Sequence, residues 1–252
     1  MRTPISVGNW KMHATNAEAE QLAESLVCLS EVEGVTTVVA PGFLQLARVA
    51  ERLRGSGIEL AGQNMHFAAT GAFTGEVSPK QLAEVARWVI LGHSERRRYF
   101  CEDDAALKNK IDAARVHGLH PILAIGERTE ERQAGHTQAV LQRQLWGALE
   151  GLDIPEGFVV AYEPVWAIGS GMPATAEQAQ DAAALIRTVL AELQGDAVAT
   201  SVRILYGGSV KAENIAEFAA QPDLDGALVG GASLDAEQFL AITRAIAGAK
   251  RA

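Results

Sequence analysis

The chain has 252 residues, 48% hydrophobic and 21% charged, the composition of a water-soluble globular protein with room for one large domain. Its net charge of −9 excludes a protein that wraps nucleic acid or lies on an anionic membrane, and leaves open a small anionic substrate held by local positive charge. The two cysteines, Cys28 and Cys101, make neither a disulfide framework nor a metal cluster.

Short apolar runs alternate with longer stretches of 3.6-residue period. The runs at residues 5–10, 36–40, 58–62, 88–92, 120–125, 158–162, 202–206 and 227–229 predict strands. The stretches at 17–30, 43–54, 79–86, 104–117, 138–150, 175–193, 212–220 and 236–247 predict helices. Ser78-Pro79 and Thr175 read as helix starts, and Gly118 as a helix stop. Cys28 falls in an apolar helical pattern and is expected to be buried. The N-terminus enters the first strand directly, and no apolar stretch is long enough to span a membrane. A cytoplasmic location is the expectation.

Eight strand–helix pairs without a linker between them predict an α/β chain closed as a (β/α)8 barrel, with residues 1–252 forming a single domain. An open doubly wound sheet is the alternative, but no Gly-x-Gly-x-x-Gly turn follows the first strand. The longest irregular stretch opens at Asn64 and closes at Ser78. A loop of that length in a compact chain is usually functional or part of an interface.

In a parallel barrel the loops after the strands share one rim, where chemistry collects. The first strand delivers Asn9 and Lys11, two residues apart and so on the same side. Alone, such a lysine reads as a solvated charge; at a barrel mouth it can stabilise a developing oxyanion. The fourth strand ends in Gly92-His93-Ser94-Glu95. Alone, His93 reads as a core histidine bonded to backbone, but Ser94-Glu95 looks like a helix start whose positive end favours a neutral imidazole. The sixth strand ends at Glu163, followed by a loop of small and apolar residues. Alone, this is a capping or pairing carboxylate; beside a loop that can close, it suits a general base. The seventh and eighth strands end in Gly207-Gly208-Ser209 and Gly230-Gly231, where backbone N–H groups can approach a phosphate. His13, His66, His93, His117, His120 and His136 show no metal-ligand spacing.

The motifs Gly8-Asn9-Trp10-Lys11-Met12, the loop 71–76, Gly92-His93-Ser94-Glu95-Arg96-Arg97, Ile125-Gly126-Glu127, the run 161–171, Tyr206-Gly207-Gly208-Ser209-Val210 and Leu228-Val229-Gly230-Gly231-Ala232-Ser233-Leu234 together resemble the triosephosphate isomerase family. The resemblance runs from Gly8 to the last helix. It implies a TIM barrel that interconverts dihydroxyacetone phosphate and glyceraldehyde 3-phosphate in glycolysis and gluconeogenesis, without metal or organic cofactor. By motif, Glu163 is the base and His93 the electrophile; a neutral imidazole at a helix N-terminus is a described property of that family. Lys11 and Asn9 stabilise the enediolate and bind substrate. Gly169, Ser209, Gly230 and Gly231 hold the phosphate, and residues 164–175 form a closing lid. The resemblance further implies a homodimer in which the loop from Asn64 to Ser78 enters the partner near its Lys11. Thr74 and Glu95 then act as supports, with Glu95 pairing Lys11.

The chain departs from the family pattern in four places. Ala124 stands where Cys is common, His13 where Asn is frequent and Cys101 where Gly is frequent. Met172-Pro173 replaces Lys-Thr at the far end of the lid, where Pro173 fixes one φ and removes a donor. Two other readings fit the residues less well. A Schiff-base aldolase using Lys11 needs a desolvated lysine, whereas Lys11 has Glu95 as its expected partner. An inactive scaffold should have lost a catalytic group, and none of Asn9, Lys11, His93 and Glu163 is missing.

Overall fold

The structure, a computed structural model, describes residues 2–29, 32–168 and 174–251. Eight parallel strands close on themselves in sequence order: β1 (Ile5–Asn9), β2 (Thr36–Ala40), β3 (Glu59–Gly62), β4 (Trp88–Leu91), β5 (His120–Ile125), β6 (Val159–Tyr162), β7 (Arg203–Tyr206) and β8 (Gly226–Val229). β1 pairs with both β2 and β8, with Ile5 opposite Thr36 on one side and Gly226 on the other. The expected barrel is therefore the observed one, and each strand lies within one residue of its expected bounds.

The strands read as continuous apolar runs because both of their faces are covered. Alternate residues point inward: Ile5, Val7, Trp88, Ile90, Val159, Ala161 and Leu228 belong to the cluster inside the barrel. Their neighbours Val89, Leu91, Val160, Tyr162 and Val229 pack outward against the helices. This parity aims the site. On β1, Asn9 follows Ile5 and Val7 on the inner side; beyond β6, Glu163 follows Val159 and Ala161.

The helices keep their predicted places with shifted ends, and the last runs on to Arg251. The expected helix at 43–54 is Leu46–Arg52, and that at 79–86 is Pro79–Leu82, opened by a Ser78 capping box. Thr175 likewise caps Ala176–Gln194, which stops at Gly195 before a further short helix, Asp196–Ser201. Short helices at Ser94–Tyr99 and Thr129–Gln133 sit in the loops after β4 and β5.

Cys28 corrects an expectation, because it is exposed. The helix Asn16–Cys28 buries Ala19, Ala23 and Leu26. At about 100° per residue, Cys28 lies about 200° round from Leu26, on the far side from the core. Cys101 is also exposed, with φ 52°; glycine adopts that left-handed backbone more readily than any residue with a side chain. Ala124 is fully buried inside the barrel opposite Ala161, so a small side chain fits there.

Candidate active site

The chain turns sharply after β1. Lys11 has φ 51°, a conformation costing a side-chain-bearing residue about 1–3 kcal/mol that its surroundings must offset. Three side chains do so. The Lys11 N–H donates to Asn9 Oδ1 at 3.0 Å. Its carbonyl accepts from Gln63 Nε2 at 2.7 Å, and the same amide reaches the Ala40 carbonyl at 2.8 Å. Lys11 Nζ donates to Glu95 Oε1 at 2.6 Å, the expected pair. Burial opposes ionisation of Glu95 most strongly, but the hydrogen bond from Lys11, with the Lys11 charge, helps to outweigh it and holds the carboxyl below its ordinary range.

His93 is the residue ahead of the helix Ser94–Tyr99, as the Ser94-Glu95 signal predicts, and is 7% exposed. Its Nδ1 accepts the Glu95 N–H at 3.3 Å. A ring nitrogen that accepts a backbone N–H carries no proton there, which leaves the proton of a neutral ring on Nε2. That nitrogen lies 3.0 Å from Glu163 Oε1.

The peptide before His93 is held from both sides. Gly92 has φ 73°, and a Cβ there would stand 2.9 Å from Leu107 and 3.0 Å from the Ala124 carbonyl. Its N–H donates to Glu102 Oε2 at 3.1 Å, and its carbonyl accepts from Arg97 Nε at 2.8 Å. Glu102 in turn pairs with Lys110 and, at 3.3 Å, with Arg96, while Lys110 also donates to Asn64 Oδ1 at 2.8 Å.

Glu163 is 2% exposed. Its N–H donates to the Ile125 carbonyl at 2.8 Å. Its carboxylate accepts the Ser94 N–H at 2.8 Å and approaches Ser94 Oγ at 3.4 Å. The loop that follows is tied down at Trp166, whose Nε1 donates to the fully buried Glu127 at 2.9 Å. Tyr162 donates to the same carboxylate at 3.1 Å. Burial first, and then the Glu127 charge, push the Tyr162 hydroxyl far above its usual range, so it remains a donor.

Across the same rim, Asn214 Nδ2 donates to the Ser209 carbonyl at 3.1 Å and its Oδ1 accepts the Lys211 N–H at 2.8 Å. After β8, a 3-10 turn runs from Gly231 to Leu234.

These elements enclose one cavity of about 700 Å³. Asn9, Lys11, His93, Glu163, Ser209, Gly230 and Gly231 all line it, with Ile168 and Leu228. Gly169 and the Met172-Pro173 hinge lie outside the described residues. Among the described residues, no group of three or more His, Cys, Asp or Glu is placed to hold a metal ion. The cavity pairs a buried carboxylate with an imidazole proton and an ammonium, facing backbone-rich turns. That arrangement can move a proton on carbon while holding an oxyanion. The residue reading did not name Gln63, Glu102 or Gln238; the last also lines the cavity, and nothing local in the sequence marks it.

A family model described as triosephosphate isomerase matches residues 4–246. The chain is 51% identical over 248 residues to the triosephosphate isomerase of Carboxydothermus hydrogenoformans, covering 97% of this chain and 99% of that one. It is 53% identical over 255 residues to that of Symbiobacterium thermophilum, covering 99% of each. It is 47% identical over 245 residues to that of Dehalococcoides mccartyi, covering 97% and 96%.

Proposed function

The chain belongs to the triosephosphate isomerase family, and on that premise we propose how its residues divide the work of interconverting D-glyceraldehyde 3-phosphate and dihydroxyacetone phosphate. The observation that carries the assignment is the convergence of Lys11, His93 and Glu163 on one cavity opposite the turns at Ser209 and Gly230-Gly231.

The phosphate sits against the backbone N–H groups of Ser209, Gly230 and Gly231, with Gly169 as a further donor. Glu163 leaves Ser94 and takes a proton from the carbon beside the carbonyl. His93 donates its Nε2 proton toward the carbonyl oxygen as negative charge gathers there, and passes protons between the two oxygens. The Lys11 ammonium offsets the enediolate charge, and such preorganised groups are usually the largest contribution to catalysis. Asn9 Oδ1 is occupied by the Lys11 N–H, so its NH2 is the group turned to substrate. Return of the proton to the neighbouring carbon gives the other triose phosphate.

The same reading takes residues 1–252 as one domain that works as a homodimer in the cytoplasm. The exposed apolar side chains of Met12, Leu44, Phe73 and Phe100, each in a loop that follows a strand, support a partner that covers those loops. No helix among the described residues is long and apolar enough to cross a membrane.

The test is isomerisation of glyceraldehyde 3-phosphate by the purified protein, coupled to reduction of the dihydroxyacetone phosphate formed. Turnover by the wild type that is lost in Glu163→Gln supports the assignment. Turnover that survives the substitution removes Glu163 from the role of base, and absence of turnover in both removes the reaction.

A further inference from the structure

Gln144 lies within the helix Thr137–Leu149 and is 6% exposed. A buried carboxamide is costly unless its polar atoms find partners. Both partners here belong to one residue. Gln144 Oε1 accepts the Gly126 N–H at 2.9 Å, and its Nε2 donates to the Gly126 carbonyl at 3.2 Å. One side chain therefore closes both backbone groups of a single glycine.

Gly126 stands where the sheet stops. The last β5–β6 pair is Ile125 with Tyr162, and the Ile125 carbonyl then takes the Glu163 N–H. The Gln144 carboxamide supplies the partners that Gly126 no longer finds in a neighbouring strand. Gly126 is also the surface on which the Glu163 peptide rests. A Cβ at Gly126 would stand 1.7 Å from the Glu163 carbonyl oxygen, 2.7 Å from its carbonyl carbon and 3.3 Å from its Cα. No side chain fits between the two backbones. The contact runs from a helix on the outside of the barrel through Gly126 to the Glu163 main chain. Gln144 lines a groove beside Val165 and Trp166, and is not among the residues of the catalytic cavity.

We propose that Gln144 is a positioning residue for Glu163. By fixing Gly126 it sets where the Glu163 backbone sits, and so where the carboxylate meets His93, Ser94 and the reacting carbon. The proposal rests on Glu163 being the base. A displacement of about 1 Å in a reacting group can cost roughly 10²-fold in rate, so a side chain that never touches substrate can still govern turnover.

Gln144→Leu keeps approximate shape and removes both hydrogen bonds. We expect kcat per folded molecule to fall by about 10- to 100-fold, with KM changed by less than about 3-fold, because the proposed phosphate contacts come from the loops after β7 and β8, which Gln144 does not touch. A purely structural role would lower the melting temperature and leave kcat of the folded fraction at the wild-type value; that result overturns the proposal. Gln144→Glu provides a second reading should the leucine variant not fold. Its carboxylate can accept from the Gly126 N–H, but it donates to the Gly126 carbonyl only when protonated. Its kcat relative to wild type at the same pH should therefore recover as pH falls, and a flat ratio overturns the proposal. An inactive wild type would remove the assigned reaction and this proposal with it; an active wild type with unaffected variants removes this proposal alone.

Discussion

His93 Nε2 and Glu163 Oε1 stand 3.0 Å apart, so in the free protein the two groups assigned to the chemistry satisfy one another. Glu163 holds a second anchor in the Ser94 N–H. A substrate carbonyl must take the His93 proton and its neighbouring carbon must take the carboxylate, so binding exchanges this internal contact for two external ones. Replacing the carboxylate by an amide keeps the shape and removes the basic oxygen. Glu163→Gln should lower kcat by about 10³-fold, within the range for loss of a general base, with KM altered little. The coupled isomerase assay measures both; a loss confined to KM would mean that Glu163 serves binding alone.

Ile168 is 38% exposed and lines the cavity with the buried Leu228. In the proposed mechanism these side chains shield Glu163 from water when substrate is bound, and exclusion of water strengthens every charge interaction inside the site. Ile168→Ala should therefore reduce kcat by about 10-fold or more while weakening substrate binding less. Single-turnover and steady-state kinetics separate the two effects. An unchanged kcat would show that this side chain does not shield the base.

The barrel was legible because each strand is buried on both faces and so appears as an unbroken apolar run, while Gly, Ser and Thr mark where helices stop and start. The site was legible for a related reason. Parallel closure turns strand ends into neighbours, so Asn9, Lys11, His93 and Glu163 could be placed together from strand order alone. What stayed hidden are the side chains that finish the work of the ladder. Gln63 reaches back to the Lys11 carbonyl, Lys110 to Asn64 and Gln144 to Gly126. Each joins residues well separated in the chain, and a glutamine or lysine, whether in a loop like Gln63 or on a helix like Lys110 and Gln144, gives no local sign that it turns inward. Cys28 failed in the opposite direction: its neighbours are apolar, but only the angle around the helix decides which of them face the core.

The loop opened by Asn64 carries an aromatic group of its own. The His66 ring lies 4.3 Å from that of Phe67 and 4.0 Å from that of Phe73. Phe67 and Phe73 are each 45% exposed, and Met12 is 98% exposed. Deleting the tip around Phe73 should give a soluble monomer of at least roughly 10²-fold lower activity, since the same loop is proposed to support the partner's Lys11 turn, and misplacement there is costly. Sedimentation velocity and the coupled assay read the two properties. A monomer with full activity would refute any role for the partner in the site.

Glu102 is 8% exposed and sits between Lys110, Arg96 and the Gly92 N–H. Burial opposes its charge most strongly, but the hydrogen bond from Lys110 and the charges of Lys110 and Arg96 outweigh that and hold its carboxyl below the ordinary value of 4.5. A carboxyl whose value is lowered by folding stabilises the fold fully above 4.5 and loses that contribution as pH falls through the lower folded value. Glu102→Gln removes the negative charge that faces the buried Lys110 ammonium and leaves neutral groups, the Asn64 amide oxygen among them, beside it. Breaking one side of a buried pair costs about 3–5 kcal/mol, a large part of the roughly 5–15 kcal/mol that holds a native protein together. Urea unfolding should show that gap at pH 7, narrowing steadily below about pH 4.5 as wild-type Glu102 takes up its proton. A gap that stays constant from pH 7 to pH 3 would mean that the side chain acts through shape and its bond to Gly92 rather than through its charge.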